Sequence, residues 1–174
     1  MRFLNIIHQN NKLLSLAIRD TPLDHMKPQL LANYINCHCR LRFLILERNN
    51  FDITGLNVIL QAFKSNKHMI HLSLRHCLLQ GNFLAFALHN LRALVSLDLS
   101  YSNISQSLVF IKLLAKYPPY LRYLSLSHSH FDQLFDFPLV LTSLRLYELT
   151  LDKLALCEYG FQTIAEAMKY GRNS

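Results

Sequence analysis

Three side chains that could do chemistry lie at comparable places in two leucine-rich segments of this sequence. Ser96 follows His71 by 25 residues, and Asp98 comes two residues after the serine. Serine, histidine and aspartate are the residue types of a nucleophilic triad, in which the histidine takes the serine proton and the aspartate orients the ring. The chain also has 9 histidines and 4 cysteines, which are possible metal ligands. Either chemistry requires structural elements that bring these residues together.

One sequence pattern recurs along the chain and predicts where those side chains lie. The pattern L-x-x-L-x-L-x-x-(N/C)-x-L fits six segments whose starts are 28, 28, 25, 27 and 25 residues apart. Chance does not produce six matches at that spacing, and repeats of this length indicate stacked structural units. The matching segments are 13–23, 41–51, 69–79, 94–104, 121–131 and 146–156.

The last repeat has two possible starts, because the segment 141–151 also fits the pattern. Leu46 precedes Gly55 by nine residues in the second repeat, and Leu151 precedes Gly160 by nine, which favours the start at 146. At the other end, residues 3–18 align with 60–74, which predicts that the chain opens on a half-repeat helix at 1–12. We treat residues 1–174 as a single repeat domain, either complete or a piece of a longer solenoid.

Each repeat predicts a short strand, a turn and a returning helix. Apolar residues recur at helical spacing between the matches, at 30–36, 56–66, 83–90 and 108–117, and 132–145 predicts only a short helix. The pattern leucines fill the space between strand and helix, and one unit cannot bury them alone.

The ninth position of the pattern has a structural duty at the turn. It holds Thr21, Asn49, Cys77, Ser102, Ser129 and Leu154. A small polar side chain there satisfies backbone groups, so we expect Cys77 to be structural, whereas Leu154 cannot do this.

These repeats resemble those of the leucine-rich-repeat family over essentially the whole chain. Repeats of 25 to 28 residues with helices are similar to the ribonuclease-inhibitor-like subclass. The resemblance implies an α/β solenoid, a horseshoe with a parallel β-sheet on the concave face and helices on the convex face. The composition, rich in Asn, Lys, Phe and Ile, also resembles leucine-rich-repeat effectors of intracellular bacteria such as Legionella.

Composition indicates a globular chain in a reducing compartment. The sequence is 51% hydrophobic and 17% charged. No apolar run reaches the length of a transmembrane helix, and the first residues do not form a signal peptide. Cys37 and Cys39 are too close to close a useful loop and lack a second ligand pair for zinc, so we expect free thiols. The expected location is cytoplasmic, with translocation into a host cytosol as the effector resemblance implies.

The horseshoe implied by the resemblance turns the third, fifth, seventh and eighth pattern positions toward the concave face. We select twelve of them as candidate partner-binding residues: Arg19, Phe43, Ile45, Glu47, Arg48, His71, Arg75, Asp98, Tyr101, Tyr123, His128 and Glu148. Phe43 and Ile45 are the leading pair, because they lie on one strand beside small residues and would form an exposed apolar patch. Aromatic residues and arginine inside a polar rim are typical of protein–protein hot spots.

Charge and geometry argue against two other functions. The net charge is +7, but the concave positions mix four basic with five acidic residues, which is not the pattern of a nucleic-acid groove. His71, Ser96 and Asp98 would lie on a shallow open face that has no oxyanion hole and does not exclude water. The histidines lack orienting carboxylates. We therefore expect no catalysis, no metal and no cofactor.

The sequence thus predicts a non-enzymatic protein–protein interaction module. One mode, implied by the ribonuclease-inhibitor resemblance, is an effector that covers and inhibits an enzyme, either a host protein or another effector. Two alternatives stay open. The chain could be a scaffold or substrate-recognition fragment of a larger protein, or it could bind nucleic acid or an anionic membrane through basic residues on its convex side.

Overall fold

The computed structural model describes residues 12–21, 28–37, 40–49, 51–132, 137–154, 161–162 and 164–166. Short parallel strands alternate with helices along this part of the chain. The strands are β1 (Ser15–Arg19), β2 (Phe43–Glu47), β3 (His71–Ser73), β4 (Leu78–Gln80), β5 (Ser96–Asp98), β6 (Asn103–Ser105), β7 (Tyr123–Ser125), β8 (His130–Phe131) and β9 (Glu148–Thr150). The helices are α1 (Pro28–Cys37), α2 (Ile53–Ala62), α3 (Gly81–Asn90), α4 (Ser107–Leu114) and α5 (Phe137–Ser143).

Helices lie where the helical spacing of apolar residues predicts them. Helix α2 continues as a 3-10 turn at Phe63–Ser65, and α4 ends at Leu114, slightly before the predicted end. The predicted half-repeat helix at 1–12 lies outside the described residues except for Lys12, which is in a turn. The predicted mixed α/β fold with a parallel sheet is confirmed.

Two parallel sheets are formed, each with one strand from successive repeats. The main sheet has the strand order β1-β2-β3-β5-β7-β9, and a smaller sheet has the order β4-β6-β8. Equivalent pattern positions pair directly, since Phe43 lies opposite both Ser15 and His71. In the last repeat Glu148 lies opposite Tyr123, so the sheet register puts Glu148 in the third position of a pattern that starts at 146.

The core lies under one face of the main sheet. In β2, Leu44 and Leu46 are fully buried, as is Leu41 just before the strand, whereas Phe43 is 40% exposed. Buried and exposed side chains alternate in this way in a sheet with one covered face. The pattern leucines join the buried helix residues in one continuous cluster. Its largest side chains away from the strands are those of Tyr34, Phe63, Phe110 and Phe137.

Ninth-position side chains connect four of the repeats to the repeat before them. Asn49 Nδ2 donates to the carbonyl of Ile18 at 2.7 Å. Ser102 Oγ donates to Leu74 O at 2.7 Å, and Ser129 Oγ donates to Leu99 O at the same distance. Each acceptor is the sixth residue of the preceding repeat. We call this series the ninth-position ladder.

The cysteine of the ninth-position ladder takes part through its thiol. Cys77 Sγ contacts the carbonyl oxygen of Leu46 at 3.5 Å. Burial raises the pKa of this thiol to about 12, so it stays protonated and able to donate. Cys37 is a free, exposed cysteine. Leu154 is buried and makes no such side-chain bond, as its chemistry requires.

Aspartate side chains cap two of the helices at their first residues. Asp52 accepts the N–H of Gly55 at 2.6 Å and so caps α2. Helix α4 is capped from the following repeat, where Asp132 accepts the N–H groups of Gln106 and Ser107 at 2.6 and 2.9 Å. These bonds lower the pKa of Asp132, with the hydroxyl of Ser107 contributing most.

We predict that Ser102→Ala destabilises the protein, because it leaves two buried backbone groups without their partner. The lost bonds are those of Ser102 Oγ with the carbonyl of Leu74 and with the N–H of Cys77. An unsatisfied buried group costs about 1–3 kcal/mol, measurable as a lower urea midpoint at an unchanged m-value. Ser65→Ala, at an exposed position, is the matched control. Equal stability of the two variants would contradict a structural role for the ladder.

Candidate functional site

Among the described residues no helix covers one face of the main sheet, and the side chains on that face form aligned columns. The third-position column runs Ser15, Phe43, His71, Ser96, Tyr123 and Glu148. The fifth-position column runs Ala17, Ile45, Ser73, Asp98, Ser125 and Thr150. We call these two columns together the open face. Residues in one column lie about 4.8 Å from their neighbours, because that is the strand spacing.

The pair predicted to form an exposed apolar patch on β2 is only partly exposed. Phe43 is 40% exposed, and Ile45, two residues on, is half-buried. On the β1 side their register partners are Ser15 and Ala17, which are small and exposed. Small neighbours leave the phenylalanine ring accessible from that side.

Charged side chains border this patch at the carboxyl end of the strands. Arg19 Nε lies 3.0 Å from Glu47 Oε2, and Glu47 Oε1 also accepts from Ser73 Oγ at 3.2 Å. One residue further, Arg48 engages both carboxylate oxygens of Asp20, at 2.6 and 3.0 Å. Exposed pairs of this kind add little stability, but two-point contact fixes the direction of the guanidinium.

The eighth pattern positions form a separate column in the turns that follow the strands. Asp20, Arg48, His76, Tyr101, His128 and Lys153 all have positive φ, between 49 and 60°. Tyr101 stacks between the rings of His76 and His128, with ring centroids 4.6 and 4.4 Å apart. The Arg75 guanidinium lies 5.5 Å from the Tyr101 ring centre, which is a cation–π distance.

The possible triad residues meet at the centre of the open face, in a shallow depression of about 220 Å³. His71 Nδ1 lies 2.8 Å from Ser96 Oγ. Asp98, however, accepts the N–H of Ser100 at 2.9 Å and faces Arg75 Nε at 3.8 Å. The aspartate is therefore held by other groups and does not supply the orienting bond of a triad.

Burial decides the charge of His71. Removal from water lowers the pKa of this ring, and the attraction of Asp98 and Glu47 opposes that effect without reversing it. The pKa of the exposed His76 is also lowered, by partial burial and by the nearby Arg48 and Arg75. Because their pKa values are lowered, His71 and His76 are mostly neutral near pH 7.

The structure assigns the twelve predicted residues to four columns. The third-position column contains Phe43, His71, Tyr123 and Glu148; the fifth contains Ile45 and Asp98; the seventh contains Arg19, Glu47 and Arg75; and the eighth contains Arg48, Tyr101 and His128. Sequence reasoning missed His76, which stacks on Tyr101. The sequence feature that sets the eighth positions apart is that none of them is β-branched, which suits the left-handed backbone of these turns.

Two further features of the described residues bear on function. Helices in this part of the chain are too short or too polar to cross a bilayer. The same residues contain no group of three side chains suited to hold a metal ion.

Comparison with solved structures identifies the class of fold. Leiomodin-1 actin-binding site 2 is 12% identical, at a TM-score of 0.51, over 97% of this chain and 87% of that chain. The tropomodulin C-terminal domain of Caenorhabditis elegans is 8% identical, also at 0.51, over 97% of this chain and 90% of that chain. An internalin from Listeria monocytogenes is 20% identical, at a TM-score of 0.49, over 89% of this chain and 38% of that chain.

These likenesses concern the fold alone. No protein-family model matches the sequence, and no curated protein matches it either. Together with the six repeats and the parallel sheet, the neighbours support a leucine-rich-repeat-like α/β fold.

We predict that His71 titrates below about 6.5, the ordinary pKa of histidine. The unfolded chain then binds the proton first, so the free energy of unfolding falls as pH drops from about 6.5 toward the folded-state pKa. His71→Asn should weaken this dependence. Urea unfolding across that range, with an NMR titration of the ring, measures both effects.

The control for that experiment is Ser96→Ala, which removes the hydrogen-bond partner of His71 but keeps the titrating ring. It should retain the pH dependence of the unfolding free energy. An NMR pKa for His71 at or above 6.5 would contradict the effect of burial described above.

Proposed function

We propose that this protein is a non-enzymatic module that binds a protein partner through its open face. The observation that carries the proposal is Phe43, a large apolar side chain that is 40% exposed at the start of β2, a strand paired on both sides. Nothing in the repeat requires an apolar residue at that position, since the core is supplied by Leu41, Leu44 and Leu46. An aromatic side chain there is available for contact with a partner.

The rest of the surface has the composition of a protein-binding hot spot. Tyr101 and Tyr123 are 41% and 42% exposed, and arginine lies beside them. Aromatic residues and arginine dominate binding energy when polar groups surround them. Glu148, at the end of the third-position column, is exposed and supplies part of that polar surround.

Rigidity also supports binding at this face. Both neighbours of β2 are hydrogen-bonded strands, and the charged border is held by the Arg19–Glu47 and Arg48–Asp20 contacts. A surface that is already ordered loses less conformational entropy when a partner binds. The leiomodin neighbour is described as an actin-binding site, so this fold is compatible with a protein partner.

The finer proposal rests on the family resemblance. We propose that the repeats curve as in the ribonuclease-inhibitor-like subclass, so that the open face is concave and can cover the active site of an enzyme. The partner would be a host protein or another effector, met in a reducing cytosol after translocation from a bacterium. Inhibition of the captured enzyme by the purified protein would test this mode separately from binding.

We predict that Phe43→Ala with Ile45→Ser lowers partner affinity at least about tenfold, or some 1.4 kcal/mol, without unfolding the chain. The physical reason is loss of the apolar contact area while the pattern leucines stay in place. Partners are first captured with the wild-type protein and identified by mass spectrometry. Titration calorimetry then compares the variants against the leading partner.

A matched control removes similar apolar area from the helical side of the molecule. Phe86→Ala with Val109→Ser changes two side chains that are 41% and 45% exposed on α3 and α4. Affinity should be unchanged in this variant. Equal losses in both variants, or unchanged affinity in a folded Phe43 and Ile45 variant, would place the interface elsewhere.

A further inference from the structure

A second surface of distinct chemistry lies at the edge of the main sheet where the strands begin. A groove of about 490 Å³ lies along this edge and is lined by Ile70, Ala93 and Val95, together with Arg42, His68, Tyr120 and Arg122. Arg42, Ile70, Val95 and Arg122 occupy the second pattern position of successive repeats, outside the open face. We call it the amino-edge groove.

The segments that precede the strands at this edge contain basic residues and no acidic ones. Five more Lys or Arg residues precede the strands, each exposed: Lys12, Arg40, Lys67, Arg92 and Arg145. Segments 12–14, 40–42, 67–70, 92–95, 120–122 and 144–147 contain no Asp or Glu. Asp20, Glu47, Asp98 and Asp152 lie toward the other end of the strands, whereas Glu148 begins β9 and lies on the open face next to Tyr147. The segments that precede the strands therefore carry a concentration of positive charge.

Backbone groups in the groove are already in use. The carbonyl of Arg42 accepts the N–H groups of both Ile70 and His71, at 2.8 and 3.0 Å. The carbonyl of Ile70 accepts in the same way from Val95 and Ser96, at 2.8 and 3.0 Å. A ligand therefore cannot pair with this edge as an added strand, and recognition must come from the side chains.

The two arginines set a distance along the groove. Three strand steps separate Arg42 from Arg122, which is about 14 Å at the usual strand spacing. The guanidinium of Arg122 is positioned by a 2.8 Å bond to Leu121 O and by the Tyr147 ring, 5.7 Å from its carbon. Four residues of extended peptide span about 13–14 Å, and side chains two and four residues apart point the same way.

We propose that the amino-edge groove binds an extended acidic segment of a partner protein, with the pattern acid-x-apolar-x-acid. The two carboxylates meet Arg42 and Arg122, and the apolar side chain between them lies on Ile70 and Val95. The aliphatic lining residues suit an apolar peptide side chain, and the comparison with an oligonucleotide described below tests whether the exposed Tyr120 instead serves as a stacking platform for a base. Arginine binds carboxylates at two points, which gives the groove its selectivity.

The test uses fluorescein-labelled heptapeptides and fluorescence anisotropy. Ser-Glu-Ser-Phe-Ser-Glu-Ser places both acids on the same side as phenylalanine. Ser-Ser-Glu-Phe-Glu-Ser-Ser has the same composition and charge, but its acids point away from the phenylalanine in an extended chain. We expect saturable binding of the first peptide, at least about tenfold tighter than of the second. Equal binding of the two, or no binding of the first, would overturn the proposal.

Protein variants locate the site. Arg42→Glu with Arg122→Glu should weaken binding of the first peptide at least about tenfold, and a Lys-for-Glu version of that peptide should recover it. Lys64→Glu with Lys112→Glu makes the same charge change at exposed positions on the helical side and should bind as wild type. Arg42→Glu alone, at an exposed position, tests the site if the double variant is unstable.

Other ligands are compared in the same assay. Equal weakening by both double variants would show attraction to net charge only, which overturns a specific groove. Tighter binding of a uridine oligonucleotide, or of vesicles containing anionic lipid, with loss in the Arg42 and Arg122 variant, would assign the groove to that ligand and also overturn the proposal.

Discussion

The hydrogen bond from a ninth-position side chain to the sixth-position carbonyl of the preceding repeat is the constraint on which the rest of this structure depends. Asn49, Cys77, Ser102 and Ser129 all make it, with different donor groups. Each bond satisfies a carbonyl at the point where the chain turns out of the sheet, and it ties that turn to the repeat before it. With the turns fixed, the strands pair in register and their leucines fill one core.

In-register pairing converts a one-dimensional repeat into a surface. Every third-position residue lies beside other third-position residues, so a partner contacts the side chain of one repeat together with those of the neighbouring repeats. The inward leucines serve stability, whereas the outward residues are free of that duty and can specify a partner. Phe43 beside the small Ser15, and Tyr101 between two imidazole rings, illustrate that freedom. Residues before the strands form yet another surface, with basic and aliphatic character.

The sequence predicts the features that the repeat pattern determines, and it does not predict those that depend on individual side chains. Leucine spacing predicts the repeats, their strands and helices, and the residues of the core, because it records the one constraint shared by all repeats. The parallel sheet and the outward positions were expected from the family resemblance. The pairing of Arg48 with Asp20 and the stacking of His76 on Tyr101 depend on left-handed turn residues, none of which is glycine. The amino-edge groove could not be predicted from the repeat, because its lining comes from positions that the pattern leaves unspecified.

Side-chain footprinting of the protein bound to its captured partner tests the central claim most directly. Hydroxyl-radical labelling reports solvent access at aromatic and aliphatic side chains in the free and bound states. The account predicts that binding reduces labelling of Phe43, Ile45 and Tyr123, while Phe86 and Val109 on the helical side label as in the free protein. Protection of the helical residues with unchanged labelling of the open face would contradict it.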